Sequence, residues 1–168
     1  MGKEIDLLIN YPKTKRDPLK RAQEKTEHDR EIARKFEKDF FDGDRKNGYG
    51  GFSYNSKFWQ PVFKKFRNYW NLDSSSSVLD VGCAKGFMLY DLKKNIPGIK
   101  VNGIDISEYA IENSLKEIKE DLIVGNATNL PYEDNSFDVV ISINTVHNLD
   151  IENCAKALKE IQRVSKKY

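Results

Sequence analysis

The 168-residue chain is predicted to be an α/β protein, a three-layer sandwich around a mainly parallel sheet with a helical extension at its N-terminus. Three observations predict this. From Val78 onward, short apolar runs alternate with stretches of helical period, the order that builds a parallel sheet through right-handed crossovers. The first run, Val78-Leu79-Asp80-Val81, opens straight into Gly82-Cys83-Ala84-Lys85-Gly86, a tight turn before a helix. The second run closes on Asp105, and the third opens into Gly125-Asn126-Ala127, so polar residues gather at one end of the strands.

Residues 1–72 form the predicted extension and residues 73–168 the α/β unit. Residues 1–25, with Pro12, Pro18 and many charges, read as an extended arm with little core of its own. Thr26 can cap a helix whose apolar face is Ile32, Ala33, Phe36 and Phe40, ending at Gly43. Asn47 to Tyr54 holds three glycines and three aromatics, an irregular loop rather than a helix. A helix carrying Phe58, Val62, Phe66 and Tyr69 follows, with Pro61 in its first turn, and Trp59 and Trp70 read as core.

In the second unit, Val78–Val81, Val101–Ile106, Leu122–Val124 and Phe137–Ile143 are the expected strands. Helices are expected over Phe87–Lys94, from the cap Ser107 to Lys119, and over Ile151–Val164, the last with Ala155, Leu158 and Ile161 inward.

Charged residues at 32% and hydrophobic ones at 39% fit an ordinary globular composition. No apolar run approaches the ~20 residues of a membrane-spanning helix, and the first ten residues are not a secretory signal. Cys83, Cys154, His28 and His147 match no zinc spacing or disulfide framework. A cytoplasmic protein with no metal and no membrane partner is expected. Net charge is +6 over residues 1–70 and −4 over 71–168. The basic residues are interleaved with acidic ones, as on solvated helix faces, which argues against nucleic acid as a partner.

The glycine turn allows close approach of a ligand, and the helix start after it favours an anionic group. Asp105, 19 positions after Gly86, can accept both hydroxyls of a ribose. Ile106 can pack on a purine face and Asn126 can bond its edge. A dinucleotide oxidoreductase would use the same parts.

Together, Val78–Phe87 ("VLDVGCAKGF"), Gly103–Ser107 ("GIDIS") and Val124–Ser142 ("VGNATNLPYEDNSFDVVIS") closely resemble the class I S-adenosylmethionine-dependent methyltransferases, whose sheet is Rossmann-like. The resemblance covers residues 78 to about 165; since the family's sheet has seven strands, it implies that the four here stand in order 3-2-1-4 and that the C-terminal strands, from a fifth that would begin at Tyr168, are absent. It implies that Asp80, Gly82, Cys83 and Gly86 line the methionine end, that Asp105 holds the ribose, and that Ile106, Asn126 and Ala127 hold the adenine. Asn144 would sit near the sulfonium, and Tyr49 or Tyr54 would touch the methionine end as part of a lid. Ala84 stands where the family has its central glycine, and Asn126 where many relatives have Asp. Lys85 reads as a solvated lysine, the alternative being a hold on the methionine carboxylate. The acceptor is expected to be a small molecule. Residues 26–60 are similar to N-terminal regions of bacterial methyltransferases of surface-sugar pathways, which implies a sugar-pathway metabolite. Asn144-Thr145-Val146-His147 replaces the motif of base and glutamine N-methylators and argues against that branch. His147, just past the fourth strand, is the candidate base, the alternative being a histidine that caps or packs the last helix. Protein or RNA methylation, and a non-catalytic binding domain, are the alternatives.

Overall fold

The computed structural model describes residues 4–13, 19 and 23–167; part of the expected arm, residues 14–18 and 20–22, lies outside the described residues. Helix α1 spans Glu27–Arg34, α2 Lys38–Phe41 and α3 Gln60–Trp70. Thr26 caps α1 reciprocally: its hydroxyl accepts from Asp29 N at 3.2 Å, and the Asp29 carboxylate accepts from Thr26 N at 2.9 Å.

The single helix expected from Thr26 to Gly43 is broken. Phe36 takes a left-handed φ of 53° between α1 and α2. The break brings the Phe36 ring edge-on to Phe40, centroids 5.1 Å apart. Pro61 lies in the first turn of α3, and Asn71, with φ 53°, ends that helix. The arm also departs from expectation. Leu7, Leu8 and Tyr11 pack against the core, and Tyr11 meets Trp59 edge-on at 4.9 Å. Trp59 and Trp70 are partly buried against the same cluster.

Four strands follow: β1 Ser77–Val81, β2 Lys100–Asp105, β3 Leu122–Val124 and β4 Val139–Ile141. All pairings are parallel, in order β3-β2-β1-β4. Alternation along β1 builds the layers. Val78 faces one core with Phe63 and Phe66 of α3 and Leu89 and Leu92 of α4 (Phe87–Asn95). Leu79 and Val81 face the other with Phe137 and with Val164 of α7 (Ile151–Val164). The helix expected over 108–119 is two pieces, α5 Glu108–Glu112 and α6 Lys116–Lys119, because Leu115 is extended, with ψ 142°. The inward face of α7 is Ala157, Ile161 and Val164; Ala155 and Leu158 are exposed, which corrects the expected face. β4 is shorter than expected, and Phe137 instead bridges in parallel to Ser165 beyond α7.

Candidate functional site

The strand ends converge on one cleft. Sheet pairing runs one residue past β1: Gly82 N and Cys83 N both donate to Ile104 O, at 2.7 and 3.1 Å. The chain then turns through three left-handed residues, Gly82 (φ 86°), Ala84 (φ 52°) and Gly86 (φ 69°). Gly82 lies against Thr145, whose side chain fills the space a Cβ would take. Ala84 holds this left-handed conformation at about 1–2 kcal/mol of backbone strain. Its amide is used: Ala84 N donates to Asp105 Oδ2 at 2.7 Å.

Asp105 therefore ties the turn to the end of β2, and its Oδ1 accepts from Ser107 N at 2.9 Å. Burial pushes its carboxyl up, opposed by the N–H groups of Ser107, Ala84 and Ile106. It lines a cleft of about 130 Å³ together with Gly82, Ala84, Ile104, Ile106, Gly125, Asn126 and Ala127. Ile106 is 59% exposed there, an apolar surface left open inside a concave site. Asn126 Oδ1 is engaged by Thr128 N and Oγ1 at 2.9 and 3.0 Å, which fixes the side chain. Across the cleft, Ile143, Asn144, Thr145, Asn148 and Leu149 form the wall after β4. Asn144 is left-handed, φ 59°, and its carbonyl accepts from Asn148 Nδ2 at 3.1 Å.

Of the residues expected to meet a ligand, Gly82, Asp105, Ile106, Asn126, Ala127, Asn144 and Tyr49 are brought to this cleft. Asp80 on β1 and Cys83 and Gly86 within the turn are buried and do not line the cleft. Strand alternation turns Asp80 to the helix side, and Cys83 Sγ lies where a Cβ on Gly103 would stand, 2.8 Å away. Asp80 is 5% exposed, and no hydrogen-bond donor reaches its carboxyl among the described residues. Burial and then the Asp105 charge push Asp80 up to about 8. Burial likewise raises the Cys83 thiol. His147 sits exposed on a short 3-10 turn, Val146–Asn148, and is not on the cleft wall, although Thr145 and Asn148 are.

Two further departures concern the cover of the cleft. Phe36, Phe40, Phe41 and Tyr49 roof it. Phe36 and Phe40 were legible only as a helix face, and Phe41 was not singled out. Tyr54 turns away instead: its hydroxyl donates to Asp91 at 2.6 Å, and burial beside that carboxylate pushes it up to about 12. Lys85 is not solvated. It is 6% exposed, with Nζ 2.6 Å from Asp42 Oδ2 and 2.9 Å from Phe52 O. Burial would raise the Asp42 carboxyl, but bonds from Lys85, Tyr109 and Phe52 N hold it at about 2.

Among the described residues no His, Cys, Asp and Glu cluster could hold a metal, and no helix is long and apolar enough to cross a membrane. A family model described as a methyltransferase domain matches residues 79–168. The demethylmenaquinone methyltransferase of Staphylococcus saprophyticus is 32% identical over 128 residues, covering 73% of this chain and 52% of that one. The mouse mitochondrial arginine-hydroxylase NDUFAF5 is 35% identical over 90 residues, 53% of this chain and 25% of that protein. Among solved structures, a putative methyltransferase from an antibiotic biosynthesis pathway of Anabaena variabilis aligns with TM-score 0.55 at 26% identity, covering 62% of this chain and 41% of that one. The chain thus spans between a quarter and about half the length of these relatives. With the matched motifs folded into one cleft on a parallel sheet of order β3-β2-β1-β4, the chain belongs to the class I S-adenosylmethionine-dependent methyltransferase family.

Proposed function

We propose that this chain binds S-adenosylmethionine in the cleft and serves methyl transfer to a small-molecule acceptor. The observation that carries the reading is Asp105, a carboxylate at the end of β2 that lines the cleft beside Ile106 and across from Asn144. Its two oxygens each accept one backbone N–H and keep lone pairs for a diol. The residues present fit the cofactor. A buried Asp80 carboxyl with no protein donor lies beneath the turn where the methionine end would rest, suited to an ammonium group. Ile106 offers an open apolar face for adenine.

When bound, the cofactor supplies an activated methyl group on a sulfonium. The chain's own residues then orient it. Asp105 holds the ribose, Ile106 and Ala127 sandwich the base, and Phe40 and Tyr49 exclude water from above. Asn144 and Asn148 offer amide groups to position an acceptor. His147 is left out of this assignment, because its neighbours face the cleft and it does not. The mouse relative is named for a hydroxylation, so binding and methyl transfer are separate questions.

Calorimetric titration tests the binding half. S-adenosylmethionine and S-adenosylhomocysteine are expected to bind saturably, and NAD not at all. Asp105→Ala removes two charge-assisted bonds of about 1.5–3 kcal/mol each, so affinity should fall about 100-fold or more. Unchanged affinity in that variant would place the ligand elsewhere. Methyl transfer is tested with radiolabelled cofactor against a panel of phenols, amines and sugar hydroxyls. For any acceptor found, His147→Ala is expected to keep kcat within about twofold; a loss of about 100-fold, as for a general base, would reinstate that histidine.

A further inference from the structure

We propose that Lys85 is a positioning residue, a latch that holds the aromatic roof over the cleft through Asp42 and Phe52 and thereby slows release of the bound adenosyl ligand. The inference rests on the cofactor reading above. Three elements meet at this one cation. Lys85 belongs to the glycine turn, whose Gly82 and Ala84 line the cleft. Asp42 and Phe52 flank Tyr49 in the roof segment, and Asp42 also accepts from Phe52 N at 2.8 Å. Tyr109 of α5 donates to the same Asp42 Oδ2 at 2.7 Å and sets its ring 5.6 Å from Nζ.

The side chain therefore points away from the ligand while its backbone sits in the ligand-binding turn. Around it the roof is held by ring contacts, Phe52 on Phe87 at 5.0 Å and Phe41 on Tyr109 at 6.4 Å, which slide at low cost. The ion pair does not slide. Its ammonium is buried, and a buried cation separated from its carboxylate is strongly disfavoured. A ligand lying below Phe40, Phe41 and Tyr49 is covered on that side by this segment, and lifting the segment requires the pair to part or the turn to move with it.

The test is stopped-flow displacement of S-adenosylhomocysteine from the unmodified chain, Lys85→Met, Asp42→Asn and the double variant. Hydrogen exchange on the free proteins is measured alongside. Lys85→Met is expected to raise the dissociation rate at least tenfold with association unchanged or faster, and the double variant should release no faster than the single ones. Exchange at the amides of Tyr49, Gly51 and Phe52 should quicken, while that at Leu79 and Val81 of β1 stays as it was. Lys85→Arg keeps the cation and should retain slow release, which guards against a variant that simply misfolds. Unchanged release in Lys85→Met, or exchange that rises equally in roof and sheet, overturns the latch. Failure of the unmodified chain to bind counts against the cofactor reading; local exchange at the three roof amides then decides whether Lys85 holds the segment.

Discussion

Gly82→Ala is expected to lower stability by about 3–4 kcal/mol and to abolish ligand binding in the cleft. Two effects add. Gly82 sits at φ 86°, where an L side chain costs about 1–2 kcal/mol. A Cβ there would also overlap Thr145 Oγ1 and stand 2.5 Å from its Cγ2 and 2.6 Å from its Cβ. Rotating the threonine cannot relieve the last of these, so the turn after β4 must move away from the glycine turn. That separates the two walls of the cleft. By the usual scaling the midpoint of thermal unfolding should drop by about 6–16 °C. Gly51→Ala supplies the control: it too has positive φ, 102°, but nothing lies within 4 Å of the new Cβ. It should show the backbone penalty alone. A second check is Gly82→Ala in a Thr145→Gly background. If the clash is the cause, part of the loss should be recovered there, and equal loss in both backgrounds would rule the clash out.

The parts of the fold that could be read from the sequence are those set by local pattern. Short apolar runs located all four strands, and the resemblance to the methyltransferase family supplied their order. Features set by distant partners could not be read. Helical periodicity runs unbroken through Phe36 and through Ser114-Leu115, yet both places break, because burial of Phe36 against Phe40 and of Ile118 in the core requires a new direction. The inward face of α7 depends on where Phe137 and Ser165 pair, which local spacing does not specify. At the site, Asp105, Ile106, Gly125, Asn126 and Ala127 were readable because each follows directly on a strand end. Lys85 was not. Its neighbours in sequence are a glycine turn, which suggests solvent, while its burial comes from Asp42, 43 positions earlier. The aromatic roof was hidden for the same reason: the helical spacing of Phe36 and Phe40 says nothing of the cleft they cover, and Phe41 adds no periodic signal.

Asp80→Asn is expected to stabilise the protein at alkaline pH while weakening its grip on the cofactor. In the folded chain Asp80 keeps its proton up to about 8, through burial first and the charge of Asp105 second. An exposed aspartate ionises near ~3.9. Between those values the native state binds a proton that the unfolded state has lost, so this group's contribution to stability declines as pH rises from about 4 to about 8. At a pH above 8 the carboxylate is buried and charged, a cost of up to about 5 kcal/mol. Asparagine has nearly the same shape and never ionises. Urea unfolding should thus give nearly equal stability for the two proteins at pH 4 and a variant more stable by several kcal/mol at pH 9. The difference between the two profiles isolates Asp80 from the many carboxylates, such as Asp42 and Asp138, whose lowered values act in the opposite sense. Parallel profiles would remove Asp80 as the cause. A bound ammonium group would favour the ionised form, so the unmodified chain should release a proton on binding near pH 7 and bind more tightly as pH rises from 6 to 8. Titration in buffers of different ionisation enthalpy reads that proton directly, and Asp80→Asn should abolish it. A group that weakens the empty protein and is relieved by a cationic ligand is the pattern of a site kept at some expense to stability. If the variant instead bound as tightly as the unmodified chain at pH 8, the buried carboxyl would be a burden without a ligand to explain it, and the methionine end would have to be placed elsewhere along the cleft.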